Sequence, residues 1–245
     1  PGNLSAGENT GLISRSSEEK YGLESAIYIQ NSSTINTRLS LNYGLRYSLF
    51  NQLGAGTSYS FDNFGNEVGS QIYNDWENIK TYGGLEPRLA ANFKMNNTSS
   101  LKLGYNRNYQ YIHLLTNATA STPTDVWIMS SENVKPQQAD QISLGYFKNY
   151  KKNMYETSAE VYYKVMDNVI DYRNGASVFF NEKLEGDLVY GTGEAYGLEL
   201  LLRKTQGRLT GWLGYTLSRT TRQFAEINDG ERFSARQDRT HDITL

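Results

Sequence analysis

The sequence predicts an all-β fold, an antiparallel up-and-down transmembrane β-barrel of which this chain supplies about eight or nine strands. Three observations predict it: apolar and polar residues alternate in repeated runs, these runs are long, and short and long connections alternate between them. The composition agrees, because 19 Tyr, 22 Gly and 4 Pro in 245 residues favour strands over helices.

The strongest alternation lies in residues 38–50. One parity of this run is apolar, and polar or small residues occupy the other; the apolar set is Leu39, Leu41, Tyr43, Leu45, Tyr47 and Leu49. Successive side chains of an extended strand point to opposite faces, so one face of this strand is apolar and the other is polar. The same alternation predicts further strands at 21–30, 85–94, 99–112, 142–150, 155–172, 196–202, 209–217 and 241–245.

The lengths of the runs and of their connections indicate a membrane barrel. A tilted strand needs about 9–11 residues to cross the hydrocarbon layer, and several runs reach that length. The connections at 31–36, 96–98, 150–154 and 205–208 are short, whereas those at about 51–84, 113–138, 173–194 and 219–237 are long. Such alternation is typical of outer-membrane barrels. Near the long-loop ends, where an interfacial aromatic girdle is expected, lie Tyr47, Phe50, Tyr109, Tyr111 and Tyr172.

Composition also excludes several classes of protein. The absence of cysteine excludes disulfides and thiolate metal sites. With 24 basic and 26 acidic residues and no basic stripe, nucleic acid is not expected as a partner. No run approaches the roughly 18 apolar residues of a membrane-spanning helix, and residues 1–8 do not have the pattern of a signal peptide.

Several motifs resemble TonB-dependent outer-membrane receptors, particularly those of Bacteroidetes. The resemblance rests on GLEPRL at 84–89, YQYIHLL at 109–115, SENVKPQ at 131–137, DQ at 140–141, GEAYGLE at 193–199, GWLGYTLSR at 211–219 and DRTHD at 238–242. Each motif is loose, but their order and spacing across most of the chain make the combination fairly specific.

The resemblance implies a cell outer membrane location and a twenty-two-stranded barrel around an N-terminal plug. Residues 1–245 would form a single segment of that barrel, with the plug and the terminal strands outside this chain. Such receptors bind a scarce nutrient (an iron chelate such as a siderophore, cobalamin or an oligosaccharide) and import it with energy from the TonB complex. The implied partners are therefore the nutrient, outer-membrane lipid, TonB through the absent plug and a surface lipoprotein.

No catalytic residue, metal site or cofactor is expected. The two histidines, His113 and His241, lie far apart in the sequence and predict ordinary polar positions at strand ends, and no Gly-x-Ser-x-Gly motif is present. Aromatic residues among polar ones in the long loops are the candidate ligand contacts, because rings stack on sugars, porphyrin-like rings and catecholates; the alternative is that they only pack the loops. They are Tyr59, Phe61, Phe64, Tyr73, Trp76 and, in a second loop, Trp127.

Four charged residues of the strands also bear on the barrel interpretation. Arg38, Arg46 and Lys102 have inward parity, which predicts that they line the lumen. Arg107 instead shares parity with the apolar side chains of its strand. Because a basic residue facing lipid at the midplane costs about 2–4 kcal/mol, either this residue lies high in the strand or a bulge turns it inward.

Two other functions compete with the receptor. A smaller complete barrel, such as a porin or adhesin, requires an even strand number and a terminal aromatic strand. A soluble secreted β-domain that binds glycan requires the apolar faces to enclose a core.

Overall fold

The computed structural model describes residues 3–4, 15–16, 19–115, 126–176 and 181–245, with side chains from residue 19 onward. Strands dominate these residues, with two short 3-10 helices at Leu184–Asp187 and Asn228–Gly230. The strands are β1 (Asn3–Leu4), β2 (Arg15–Ser16), β3 (Tyr21–Thr34), β4 (Leu39–Leu53), β5 (Gly56–Phe61), β6 (Glu67–Tyr73), β7 (Asn78–Asn96), β8 (Ser99–Gln110), β9 (Ile112–Leu115), β10 (Val126–Met129), β11 (Gln137–Tyr150), β12 (Tyr155–Tyr172), β13 (Leu188–Lys204), β14 (Gly211–Phe224), β15 (Phe233–Ser234) and β16 (His241–Thr244).

One antiparallel sheet contains all the long strands. Its order is β3-β4-β7-β8-β11-β12-β13-β14, and both β15 and β16 pair with the free side of β14. The eight long strands, with a ninth beginning at β16, confirm the predicted up-and-down, partial-barrel architecture. The short strands β1–β2, β5–β6 and β9–β10 form separate two-stranded sheets.

The register aligns the apolar residues of neighbouring strands. One row of cross-strand partners reads Leu103, Leu144, Val161, Leu198 and Leu217. Side chains on this side of the sheet are exposed, and Ile27 reaches 75% exposure. We call this side the apolar face and the other side the polar face. The soluble-domain alternative requires this face to enclose a core, whereas the described residues of the face are exposed, which suits contact with lipid.

Short turns and long loops lie at opposite ends of the sheet. The short turns are 35–38, 97–98, 151–154 and 205–210, and the long connections are 54–77, 111–136, 173–187 and 225–240. We call these two ends the short-turn end and the long-loop end. The predicted alternation is confirmed, although the strands extend further into the loops than their hydrophobic alternation indicates.

Two local predictions were wrong. Residues 31–34 continue β3 instead of forming a turn, because the turn begins later, where the Asn36 side chain accepts hydrogen bonds from the backbone of Arg38 and Leu39. Gly191–Gly193, which the alternation places in the long connection 173–194, instead lies inside β13. A Cβ on Gly191 would come within 2.7 Å of the Phe224 ring, so glycine permits this close packing.

The expected aromatic girdle is only partly present. Tyr47 is exposed on the apolar face, as predicted. Phe50 and Tyr111 instead stack with ring centroids 5.1 Å apart and are buried. The Tyr111 hydroxyl lies 2.7 Å from that of Ser48 on the polar face. These two rings support the loops and do not face lipid.

Arg107 lies high in its strand. The pairing of β8 with β11 is continuous from residue 99 to residue 110, so no bulge turns Arg107 inward. Its partner across the sheet is Asp140, and the two side chains form an ion pair of 2.9 Å on the apolar face near the long-loop end. Tyr105 and Gln138 donate further hydrogen bonds to the same carboxylate.

Candidate functional site

Three connections meet at the long-loop end and form what we call the loop cap. They are the β5–β6 hairpin, the β9–β10 hairpin with the segment 130–136 that follows it, and the 3-10 segment 181–187. The central residues are Ser131, Asn133 and Glu185. The Ser131 hydroxyl accepts from the Asn133 backbone and donates to Glu185 at 2.7 Å. The Asn133 amide donates at 2.8 Å to both Glu185 and the Tyr59 carbonyl, which ties the three connections together.

Charged residues add contacts at the edge of the cap. Lys20 contacts Glu185 at 3.1 Å, and Lys183 forms an ion pair with Glu67 of the β5–β6 hairpin. These pairs are partly exposed, so each one contributes little by itself. Their importance is that they orient one loop against another.

An apolar cluster underlies the loop cap. Its centre is Val134, which is completely buried, and the cluster also contains Leu115, Ile128, Ile170, Tyr172, Leu184 and Leu188. These residues come from the β9–β10 hairpin and the segment 130–136, from the end of β12, from the 3-10 helix Leu184–Asp187 and from the start of β13. These buried side chains give the cap a small apolar core of its own, so the loops form an ordered surface over the polar face.

The polar face carries a buried carboxylate below the cap. Glu86 of β7 is 1% exposed and lies 2.6 Å from Arg46 and 3.5 Å from Arg88. Arg46 also contacts Glu24 of β3 at 3.2 Å. Arg46 therefore lies on the polar face, as predicted. Lys102 also lies there, with its ammonium group 4.1 Å from the centre of the Phe147 ring.

A second buried carboxylate borders a cavity of about 260 Å³. Asp171, at the end of β12, lies 3.7 Å from Arg222 and 3.5 Å from Arg236. Gln110, Gln137 and Gln237 also line the cavity, together with apolar residues such as Leu114, Val169 and Ile170. Guanidinium and amide groups provide many hydrogen-bond donors, so the described lining suits a ligand rich in acceptor oxygens.

His113 lies beside this cavity and is 4% exposed. Its Nε2 atom lies 3.5 Å from the Ser130 hydroxyl. Burial lowers the pKa of His113 to about 4, because the charged imidazolium loses its hydration. The expectation of an ordinary polar position at a strand end is therefore wrong for His113, which is a neutral, buried part of the cap.

Two further observations concern the described residues. Among them, no group of three or more His, Asp or Glu side chains is placed to hold a metal ion. No helix in the same part of the chain is both long and apolar enough to cross a membrane.

A family model described as TonB-dependent receptor-like, β-barrel, matches residues 2–243. The chain belongs to this family. A comparison with curated proteins finds no match.

Solved structures of an iron transporter and of outer-membrane and import receptors share the fold. The FrpB iron transporter from Neisseria meningitidis aligns with 86% of this chain at 14% identity, with a TM-score of 0.57. The ferric-catecholate import receptor Fiu from E. coli K12 aligns with 91% at 15% identity, with a TM-score of 0.56. The alcaligin receptor FauA from Bordetella pertussis aligns with 91% at 14% identity, with a TM-score of 0.53. The chain covers 28%, 31% and 33% of those three proteins.

The six predicted ligand contacts fall into two groups, exposed residues and residues packed within the loop cap. Phe64 and Trp127 are 79% and 69% exposed, and Trp76 is also exposed, with its ring 5.8 Å from Tyr21. The other three pack within the cap. Phe61 contacts Gly186, Tyr59 lies under the Lys183 ammonium group, and Tyr73 is buried. The six residues therefore do not form one cluster.

Sequence reasoning missed the polar residues that organise this receptor's loop end. Glu185 and Asp171 contact partners 54 and 65 residues away in the sequence, so no local pattern shows them. The SENVKPQ motif is the one sequence signal that points to this region. It resembles the family, and its Ser131 and Asn133 are central residues of the loop cap.

Proposed function

We propose that this chain is part of the barrel wall of a TonB-dependent receptor of the Bacteroidetes type, located in the outer membrane. The whole receptor binds a scarce nutrient and imports it with energy supplied through TonB. Residues 1–245 form a single barrel segment in this proposal, and the plug and the terminal strands belong to other parts of the protein. A surface lipoprotein is a further partner.

One observation carries the proposal. A single sheet combines a continuous apolar face, suited to lipid, with a polar face that an ordered loop cap covers at one end. A transport receptor needs this combination, because its wall must lie in lipid while its lumen and loops receive a hydrophilic ligand. The family match supports the same conclusion.

Among the candidate nutrients, the cavity favours an iron chelate with anionic oxygen groups over cobalamin or a neutral oligosaccharide. Arg222 and Arg236 border it with Gln110, Gln137 and the carboxylate of Asp171, so the two guanidinium groups outnumber the one carboxylate and leave a net positive charge. Arginine binds carboxylate and similar anions through paired hydrogen bonds. Phe64, Trp76 and Trp127, which are exposed at the long-loop end, are the candidate aromatic contacts for an approaching ligand.

The test is ligand binding by the full receptor in detergent, with ferric catecholate, ferric citrate, cobalamin and a neutral oligosaccharide as probes. We expect an anionic iron chelate to bind, and Arg236→Gln to weaken that binding about tenfold. Arg232→Gln is the matched control, because Arg232 lies in the same connection but pairs with Glu194.

Uptake of the bound probe should also stop when TonB is deleted. Binding of cobalamin or the oligosaccharide alone would contradict the iron-chelate assignment. Uptake that continues without TonB would contradict the receptor function itself.

A further inference from the structure

A group of lysines surrounds two tyrosine rings at the short-turn end of the sheet. It consists of Lys148, Lys151, Lys152 and Lys204 with Tyr150 and Tyr155, and we call it the lysine patch. Three of its ammonium groups lie over the rings: Lys148 is 5.1 Å from the centre of Tyr150, and Lys151 and Lys204 are 5.8 and 5.9 Å from the centre of Tyr155. Lys152 is exposed in the turn between β11 and β12.

The lysine patch lies on the same side of the sheet as the apolar face. Tyr150 and Lys148 share parity with Leu144, whereas Tyr155 shares parity with Val161 on the next strand. Tyr155 is paired across the sheet with Tyr150 on one side and with Lys204 on the other. The patch therefore borders the apolar face directly, at the level where a lipid headgroup would lie.

No carboxylate of the described neighbouring strands faces the lysine patch. Glu156 is adjacent to Tyr155 in the sequence but has the opposite parity, and it lies 3.5 Å from Arg203 on the polar face. β14 begins Gly211-Trp212-Leu213 and contributes no acidic residue at this level. Four positive charges are thus concentrated on one edge of a lipid-facing surface, although the whole chain has a net charge of −2.

We propose that the lysine patch binds the phosphate groups of anionic phospholipids, such as phosphatidylglycerol or cardiolipin, in the leaflet around the short-turn end. Lysine binds phosphate as a compact charge, and basic residues beside a membrane are attracted to anionic headgroups. Tyr150 and Tyr155 suit the same boundary, because a tyrosine ring packs against acyl chains while its hydroxyl reaches the headgroups. This inference rests on the membrane location proposed above.

The test is lipid retention by the full receptor. The protein is delipidated in mild detergent and mixed with cardiolipin, phosphatidylethanolamine or lipopolysaccharide, and native mass spectrometry counts the lipids that stay bound. We expect cardiolipin to be retained at least about tenfold better than phosphatidylethanolamine. The variant with Lys148→Gln, Lys151→Gln, Lys152→Gln and Lys204→Gln should lose this preference.

A matched variant removes the same number of charges from elsewhere. Arg38→Gln, Lys94→Gln, Lys102→Gln and Lys164→Gln change residues of polar-face parity and should keep the cardiolipin preference. A measurement on the unaltered receptor guards against variants that fail to fold. Its cardiolipin retention should fall as the salt concentration rises, because salt screens exposed charges.

Three results would overturn the proposal: equal retention of cardiolipin and phosphatidylethanolamine, an equal loss in the matched variant, or a patch-dependent preference for lipopolysaccharide alone. Nutrient binding is measured on the same preparations. If nutrient binds without any lipid preference, only this inference fails. If the protein associates with no lipid at all, the membrane location fails as well.

Discussion

At the scale of single residues, the polar face depends on buried charges that are individually costly. Removing a carboxylate from water is unfavourable unless cations and hydrogen bonds replace its hydration. Glu86 meets this condition through Arg46 and Arg88, and Asp171 meets it through Arg222 and Arg236. The pair Arg46–Glu86 joins the neighbouring strands β4 and β7, Arg222–Asp171 joins β14 to β12 across β13, and Arg236–Asp171 joins a long loop to β12. These contacts hold the sheet and the long-loop end in one arrangement.

Neutralising Glu86 should therefore destabilise the barrel. Glu86→Gln removes the charge opposite Arg46 and should lower the free energy of unfolding by about 2–4 kcal/mol. Glu24→Gln is the control, because Glu24 binds the same arginine at the exposed end of the network and should cost less than about 1 kcal/mol. Urea unfolding of the receptor in lipid vesicles measures both. Equal losses would show that burial of Glu86 does not matter.

His113 should make the loop cap sensitive to acid. The cap holds the neutral imidazole with a pKa of about 4, whereas the exposed ring has its ordinary value of 6.5. When the cap opens, His113 becomes exposed and binds a proton more readily. The contribution of the neutral imidazole to the stability of the cap is therefore fully present above pH 6.5 and is lost as the pH falls towards 4. The free energy of opening the loop cap should be about 2 kcal/mol lower at pH 5 than at neutral pH.

Hydrogen exchange of the β9–β10 hairpin at pH 7 and pH 5 measures this loss. His113→Leu removes the titrating group and should flatten the pH dependence of exchange. A pH dependence that persists in this variant would assign the effect to another group.

At the scale of elements, the alternation of residues predicted the long strands well because each has one face towards an apolar environment. The bounds of β12 match the predicted run 155–172. The hairpins β5–β6 and β9–β10 were not predicted, since they are short and pack against other loops instead of lipid. The loop cap was not predicted either, because Asn133 and Glu185 meet only after the strands are paired.

The ion pair between β8 and β11 can be tested as a unit. Arg107→Leu leaves Asp140 unpaired on the apolar face and should lower the free energy of unfolding by about 2–4 kcal/mol. The double variant Arg107→Leu with Asp140→Leu removes both charges and should recover much of that loss. Unfolding in lipid vesicles compares the three proteins. A double variant that is less stable than Arg107→Leu would mean that the pair contributes more than mutual neutralisation.

At the scale of the whole molecule, three zones follow one another along the strands, from the long-loop end to the short-turn end. The loop cap and its cavity occupy one end, the exposed apolar face occupies the middle, and the lysine patch borders the other end. Each zone suits a different surrounding: water and ligand, hydrocarbon, and headgroups. The same sheet in water would expose apolar residues on each of its long strands, so the surrounding medium decides whether this arrangement is stable.

Placement of the sheet in hydrocarbon makes a sharp prediction for its central row. Leu144 lies between Leu103 and Val161 in the middle of the apolar face, and Leu144→Arg should cost about 2–4 kcal/mol in a bilayer. Gln141→Arg is the matched control, because Gln141 belongs to the same strand but has polar-face parity, and its cost should be below about 1 kcal/mol. The measurement is the free energy of unfolding from lipid vesicles. If Leu144→Arg is instead tolerated, or improves solubility without detergent, the apolar face does not contact lipid and the membrane location is wrong.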